Sequence, residues 1–410
     1  MKYLLIIGDG MADDPVPSLG NQTPLQATKH PAMDRLAARG TVGSVINCPK
    51  PLPAGSETAI LSIFGCDPLR WFTGRSPMEA AALGISLQPG DCCYRCNLVT
   101  MEEGDMPYEQ KRILSHSAGS ISGEDALKTL QALNDDPEFS AALRSCHMRL
   151  PLIPTFRPLA VEEQGDFSGI RFVPPHDHLG EVCGPLLPSG SVHADKFTAL
   201  QKLADRVLAH HPVTEARRAA GKMPANGIWF WAEGTALTLP DFRQEYGCSG
   251  AVVSAVPICH GIGVLRGLEM VTVEGATGEI DTNFEGKLEA AWEKLNEYDF
   301  VCLHLEAPDE CTHNGDLPGK LQAIEWLDSR LVAPLLERME AAGMEHRVLL
   351  LSDHKTLTAT RGHNGDPVPY LLYDSRRDTR HGGRYDEANG ARGELLPDGS
   401  ALLRKLFSGE

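Results

Sequence analysis

The chain has 410 residues, 42% hydrophobic and 23% charged, with a formal net charge of −17. That is globular composition in a chain long enough for two domains. The acid excess speaks against a nucleic-acid partner, which needs a basic face. No apolar run can span a bilayer, and the opening "MKYLLIIGDG" is too short for a signal-peptide core. The expectation is a cytoplasmic protein with no membrane partner and reduced thiols.

The elements read as follows in chain order. "YLLII" (Tyr3 to Ile7), closed by Gly8-Asp9-Gly10, is a buried parallel strand. "PAMDRLAARG" is a helix that starts at Pro31 and stops at Gly40. "PLPAGSETAILSIFG" places Ser56 ahead of a helical pattern. From about Gly90 to Leu239 the grain changes. Shorter helices, such as "SGEDALKTLQALND" behind an N-cap at Ser122 and "ADKFTALQKLADRVLAHH", alternate with proline-rich connections. Beyond them come the helix "EGKLEAAWEKLNEYD", the strand "FVCLHLE", a long helix over Gly319 to Ala342 kinked at Pro334, and the strand "RVLLLSDH". Strand–helix–strand order predicts an α/β fold, a doubly wound sheet with helices on both faces. The domains are expected at 1–90 plus 240–410, with an inserted α/β domain at 91–239. The eleven cysteines are scattered, and only Cys93-x-x-Cys96 has metal-like spacing, with no second CxxC to complete a zinc site.

Ligands of open α/β sheets bind beyond the carboxyl ends of the strands. Asp9 closes the first strand, Asp309 and His313 follow "FVCLHLE", Asp353 and His354 close "RVLLLSD", and His363 comes nine residues after His354. Singly these are ordinary turn or cap residues. Together, three Asp and three His at strand ends suffice for two divalent ions in mixed N/O sites. Ser56 is either an N-cap or, beside such ions, a nucleophile favoured by a helix N-terminus. The tetrapeptide His-Asn-Gly-Asp occurs twice, at His313–Asp316 and His363–Asp366. The upstream contexts differ, so this is not a repeat. It reads as two loops at neighbouring strand ends, with Asp316 and Asp366 as turn residues.

The segments "IIGDGMAD", "TPLQATKHPAMDRLAARGTVG", "PAGSETAILSIFGCDP", "GRSPMEAAALGI", "HLEAPDECTH" and "DHKTLTATRGHNGDPVP" carry a resemblance over nearly the full length. "PPHDHLG" and "NGIWFWAEG" extend it through the middle. The chain resembles the archaeal-type cofactor-independent (2,3-bisphosphoglycerate-independent) phosphoglycerate mutases of the alkaline phosphatase superfamily. The resemblance implies an alkaline-phosphatase-like fold and a glycolytic and gluconeogenic isomerase that interconverts 3-phosphoglycerate and 2-phosphoglycerate. It implies Ser56 as the residue that becomes phosphorylated. Asp9, Asp353 and His354 would hold the metal that touches Ser56, and Asp309, His313 and His363 the other. Mn²⁺ is the expected ion, with Zn²⁺, Co²⁺ or Mg²⁺ as alternatives, and no 2,3-bisphosphoglycerate is needed. The inserted segment would be the phosphotransferase lobe that closes over a small phosphorylated carboxylate, with Lys287, Arg157, Arg95 and Asn97 as candidate contacts. Two positions depart from the pattern: Glu57 replaces an Asp, and Glu306 stands where many members have Lys. Such features also resemble a bacterial branch with a proposed role as metal-dependent homoserine kinase in threonine biosynthesis, which is the alternative. No Walker-type GxxxxGK[ST] supports nucleotide use. The oligomeric state stays open.

Overall fold

The computed structural model describes residues 1–377 and 383–409. The chain divides into two compact units, one of Met1–Phe72, Ala81–Leu83 and Leu239–Glu410, the other of Thr73–Ala80 and Gly84–Thr238. The first crossing thus falls nearer residue 73 than 90. Thr73 and Gly74 pair with Thr235 and Gly234, which ties this stretch to the second unit.

The strands in chain order are β1 (Lys2–Gly8), β2 (Thr41–Val45), β3 (Cys92–Met101), β4 (Ile113–Ser115), β5 (Met148–Arg149), β6 (Leu159–Glu162), β7 (Gly227–Thr235), β8 (Gly250–Val253), β9 (Glu269–Val271), β10 (Phe300–Leu305), β11 (His346–Leu351), β12 (Lys355–Leu357), β13 (Gly362–Asn364), β14 (Val368–Asp374) and β15 (Leu395–Leu396). The first unit carries a sheet in the order β15-β2-β14-β11-β1-β10-β8-β9. From β11 to β9 it is parallel, and β14 runs antiparallel beside it. A strand covered on both faces needs apolar residues at every position. Leu4, Leu5, Ile6 and Ile7 are all fully buried. Leu4 and Ile6 join a core with Met33, Leu36, Leu288, Leu303 and Val348, so the pleat sends Leu5 and Ile7 to the opposite face.

The register positions the site. Gly8 is level with Leu305 of β10, and Ile7 is level with Leu351 of β11. Residues just past these strands, Asp9, Glu306 and Asp353, therefore emerge at one rim.

The second unit is built on antiparallel pairs of β3 with β4, β6 and β7, and of β5 with β6. Tyr94, Phe139, Phe197 and Phe230 dominate its core. In β3, Cys96 faces that core while Cys93 packs with Leu159 and Val161 in another cluster. Positions i and i+3 of a strand point to opposite faces, so the CxxC spacing does not make a shared site here. The cysteines are free thiols.

Two local expectations change. The long helix over Gly319–Ala342 is two α-helices, Leu317–Trp326 and Ala333–Ala341, joined by the π-helical Leu327–Val332. Pro334 lacks an N–H and stands in the first turn of the second piece, where none is required. Ser122 occupies the N-cap position of Gly123–Asp135, but its side chain makes no capping hydrogen bond. Among the described residues, no helix is long and apolar enough to cross a membrane.

Candidate metal centre

Asp9 follows β1 directly, and the chain turns sharply at Gly10, whose φ of +62° suits glycine. The Gly10 N–H donates to Asp353 Oδ1 at 3.1 Å. Asp353 and His354 follow β11, where Asn47 Nδ2 donates to the Asp353 carbonyl at 2.7 Å. His354 Nε2 lies 3.1 Å from Asp353 Oδ2 and 3.7 Å from Asp9 Oδ1. Ser56 is the first residue of the helix Ser56–Ile63, and Gly55 takes the N-cap position, so Ser56 is not the cap. Its Oγ lies 3.2 Å from His354 Nε2 and 3.5 Å from Asp9 Oδ2.

Asp309 and His313 lie one turn apart on the short helix Ala307–His313, which places both on one face. His313 Nε2 is 3.1 Å from Asp309 Oδ2 and 2.9 Å from His363 Nε2. His363 Nε2 is 3.4 Å from Asp309 Oδ1. His313 Nδ1 donates to the Arg361 carbonyl at 2.8 Å, which turns Nε2 toward the cluster. The two His-Asn-Gly-Asp stretches are therefore not similar loops. His313 ends a helix, whereas His363 belongs to β13. Gly315 adopts φ +73°, but Gly365 is not in that region. Asp316 caps Leu317–Trp326, and Asp366 bonds to Asn364.

Three ligand atoms converge within 4.8 Å in Asp309/His313/His363 and again in Asp9/Asp309/His354. Asp309 belongs to both groups, a sharing that the sequence spacing did not indicate. Glu306, Asp309 and Glu310 form a third, all-carboxylate group.

The electrostatics suit a cation. Burial pushes Asp9 well above the carboxylate range, and Asp353, Asp309 and Glu306 push it further. Burial, then Glu310 and Asp309, raise Glu306 to about 8. Burial acts on Asp309 in the same direction, but hydrogen bonds from His313 and His363 outweigh it and hold Asp309 low. The bond to Asp309 raises His313 to about 9. Asp9 Oδ1 and Asp353 Oδ2 are buried and have no hydrogen-bond partner. Orphaned buried oxygens are costly unless a cation satisfies them. The mixed carboxylate and imidazole donors therefore fit divalent ions.

Two buried residues behind the centre escaped the sequence reading. His304 Nε2 lies 3.0 Å from Asp9 Oδ2, and Thr356 Oγ1 donates to Asp309 Oδ1 at 2.5 Å. The available signals were a histidine inside an apolar strand and a hydroxyl two residues past "DH". Lys287 is also buried here, with Nζ donating to the His304 carbonyl at 3.2 Å, and burial lowers it to about 8.

The other candidates lie in the second unit. Arg95 donates through Nε to Glu79 Oε2 at 2.9 Å, pairs again through Nη2, and lies over the Trp231 ring at 4.7 Å. Asn97 is engaged at both ends: Nδ2 donates to the His116 carbonyl, and Oδ1 accepts from Trp231 Nε1. Arg157 is exposed, with its guanidinium over Phe156. His116 and His176 lie with ring centroids 6.0 Å apart, and His176 is 5.0 Å from Trp231. Burial lowers both imidazoles. These two histidines and Trp231 were not among the sequence candidates.

The family model described as the metalloenzyme superfamily matches residues 1–399. The 2,3-bisphosphoglycerate-independent phosphoglycerate mutase of Methanosarcina barkeri is 41% identical over 396 residues, 96% of each chain. The probable mutase of the same kind from Geobacter sulfurreducens is 40% identical and covers 99% of this chain and all of that one. The solved structure of the cofactor-independent phosphoglycerate mutase from Thermoplasma acidophilum has a TM-score of 0.65 at 25% identity, covering 100% of this chain and 99% of that one. A sheet rim that gathers carboxylates and imidazoles is thus the mark of a metalloenzyme. The chain belongs to that superfamily and, within it, to the 2,3-bisphosphoglycerate-independent phosphoglycerate mutase family.

Proposed function

We propose that this enzyme interconverts 3-phosphoglycerate and 2-phosphoglycerate through a phosphoserine at Ser56. One observation carries the reading: the Ser56 hydroxyl, at a helix N-terminus, lies within 3.5 Å of both His354 Nε2 and Asp9 Oδ2. Asp9, Ser56, Asp353 and His354 would hold one divalent ion, and Asp309, His313 and His363 the other, with Mn²⁺ the best suited and Zn²⁺, Co²⁺ or Mg²⁺ tolerated. Such ions, when bound, lower the pKa of a nearby hydroxyl and offset charge on phosphoryl oxygens.

The chain's own residues do the rest. Ser56 Oγ attacks phosphorus as its proton leaves toward Asp9 Oδ2. The bond from phosphorus to the glycerate oxygen breaks, and that oxygen takes up the proton that Asp9 accepted, so the step is neutral in protons. The glycerate stays bound and presents its other hydroxyl, which recovers the phosphoryl group from Ser56. No 2,3-bisphosphoglycerate is needed. Within the segment 91–239 we propose Arg157 as a donor to a carboxylate; Arg95 is paired with Glu79, and Asn97 with Trp231 and the His116 carbonyl. Lys287 supports the centre from below. A cytoplasmic location suits a glycolytic role.

The named relatives favour this over homoserine phosphorylation. The test is the purified chain with Mn²⁺ and 3-phosphoglycerate, coupled to enolase. Turnover that is abolished in Ser56→Ala with ion content retained supports the mutase. Absence of turnover beside efficient phosphorylation of homoserine contradicts it.

A further inference from the structure

Thr356 is fully buried two residues beyond His354. Its backbone is held on every side. The N–H donates to the Ala12 carbonyl at 3.1 Å, the carbonyl accepts from Lys320 Nζ at 2.7 Å, and the residue pairs with His363 across β12 and β13. Its hydroxyl lies between two candidate ligands. Oγ1 donates to Asp309 Oδ1 at 2.5 Å and is 3.2 Å from His354 Nδ1.

A hydroxyl has one proton to give. With that proton directed to Asp309, Oγ1 can only accept from His354. His354 Nδ1 then carries the hydrogen, and Nε2 keeps the lone pair that faces Ser56 Oγ and Asp353 Oδ2. The opposite tautomer would place a hydrogen where an ion must bind.

We propose that Thr356 is a positioning residue that fixes the tautomer of His354 and the orientation of Asp309 together, and so couples the two cation sites. The proposal rests on the two-ion reading above. One hydroxyl touches Asp309, common to both ligand groups, and His354, which belongs to only one. Loss of the hydroxyl therefore weakens both sites, and occupancy of one changes the affinity of the other.

The test uses the full chain, its Thr356→Val variant, which keeps the branched shape without the hydroxyl, and Thr356→Ser, which keeps the hydroxyl. Two readouts are needed. Imidazole ¹⁵N resonances of the metal-free protein report the His354 tautomer, and Mn²⁺ titration reports both binding steps. The expected parent has hydrogen on Nδ1 and binds two ions. Thr356→Val shifts the hydrogen to Nε2 and weakens both ions by about tenfold or more, while Thr356→Ser stays near the parent. Hydrogen on Nε2 in the parent overturns the proposal, and that measurement stands even if Thr356→Val does not fold. So does a Thr356→Val protein that binds both ions as tightly as the parent. A parent with hydrogen on Nδ1 that binds fewer than two ions overturns the two-ion reading instead.

Discussion

The Nε2 atom of His304 lies 3.0 Å from Oδ2 of Asp9, with both side chains fully buried. Val256 N–H donates to Ser254 Oγ at 3.0 Å, which frees the Ser254 hydroxyl to donate to His304 Nδ1, also at 3.0 Å. With Asp9 ionised its Oδ2 can only accept, so His304 Nε2 carries the hydrogen and Nδ1 accepts from Ser254. Burial lowers this imidazole to about 3, so it is neutral at physiological pH. His304→Phe should leave a buried carboxylate oxygen short of a donor, at a cost of about 1–3 kcal/mol. Ion affinity should fall by roughly 10–100-fold. Thermal melting and Mn²⁺ titration check both, and unchanged ion affinity would remove the role assigned to His304.

Ion binding should be coupled to proton release. In the metal-free protein His313 holds a proton up to about pH 9, and the bond to Asp309 shifts His363 upward too, against burial. An ion must displace these protons, so apparent affinity should rise with pH until about 9. Calorimetry in buffers of different ionisation enthalpy measures the protons released. A value of zero at neutral pH would contradict this account.

Glu306 should contribute stability to the metal-free protein that is lost as pH rises from about 4.5 to 8. Glu306 has its folded pKa raised to about 8, by burial first and neighbouring carboxylates second. A carboxyl raised on folding stabilises below its unfolded pKa and loses that contribution as pH passes the folded value. Asp9 acts in the same direction. Denaturant unfolding across this window should show the loss as a difference in slope between the parent and Glu306→Gln. An identical slope in the variant counts against Glu306 as a source.

Gly10 should not tolerate alanine. Its φ is +62°, and a Cβ there would meet Thr356 Oγ1 at 2.5 Å and the Asp309 Cα at 2.8 Å. The backbone conformation alone costs about 1–2 kcal/mol for an L-residue. The contact must also displace Asp309, so Gly10→Ala should bind fewer than two ions. Normal stoichiometry, measured by equilibrium dialysis, would refute this.

The rim of the centre was legible because several apolar runs end in Asp or His: Asp9 after "YLLII" is an ordinary turn residue by itself and stands out only beside Asp309, Asp353 and the three histidines. The supporting residues were not. His304 lies inside "FVCLHL", and only the register of β1 against β10 brings it to Asp9. Thr356 needs the β12–β13 pairing before its hydroxyl meets Asp309. The two His-Asn-Gly-Asp stretches share four letters yet end a helix in one case and lie in a hairpin strand in the other, because tertiary packing overrides so short a local signal. Arg95 looked available from sequence, but its partner Glu79 lies 16 residues away in another element. Removing Arg95 would leave the half-buried Glu79 carboxylate with Arg75 as its remaining partner, at 3.1 Å, so effects of Arg95 variants on substrate and on stability are to be measured separately.

The most direct measurement is rapid acid quench of the Mn²⁺-loaded enzyme during turnover of phosphoryl-labelled 3-phosphoglycerate, followed by peptide mapping. The account predicts transient label on the peptide that contains Ser56, formed and lost at rates consistent with turnover and absent in Ser56→Ala. Turnover with no label on the protein, or turnover that survives Ser56→Ala, would contradict it.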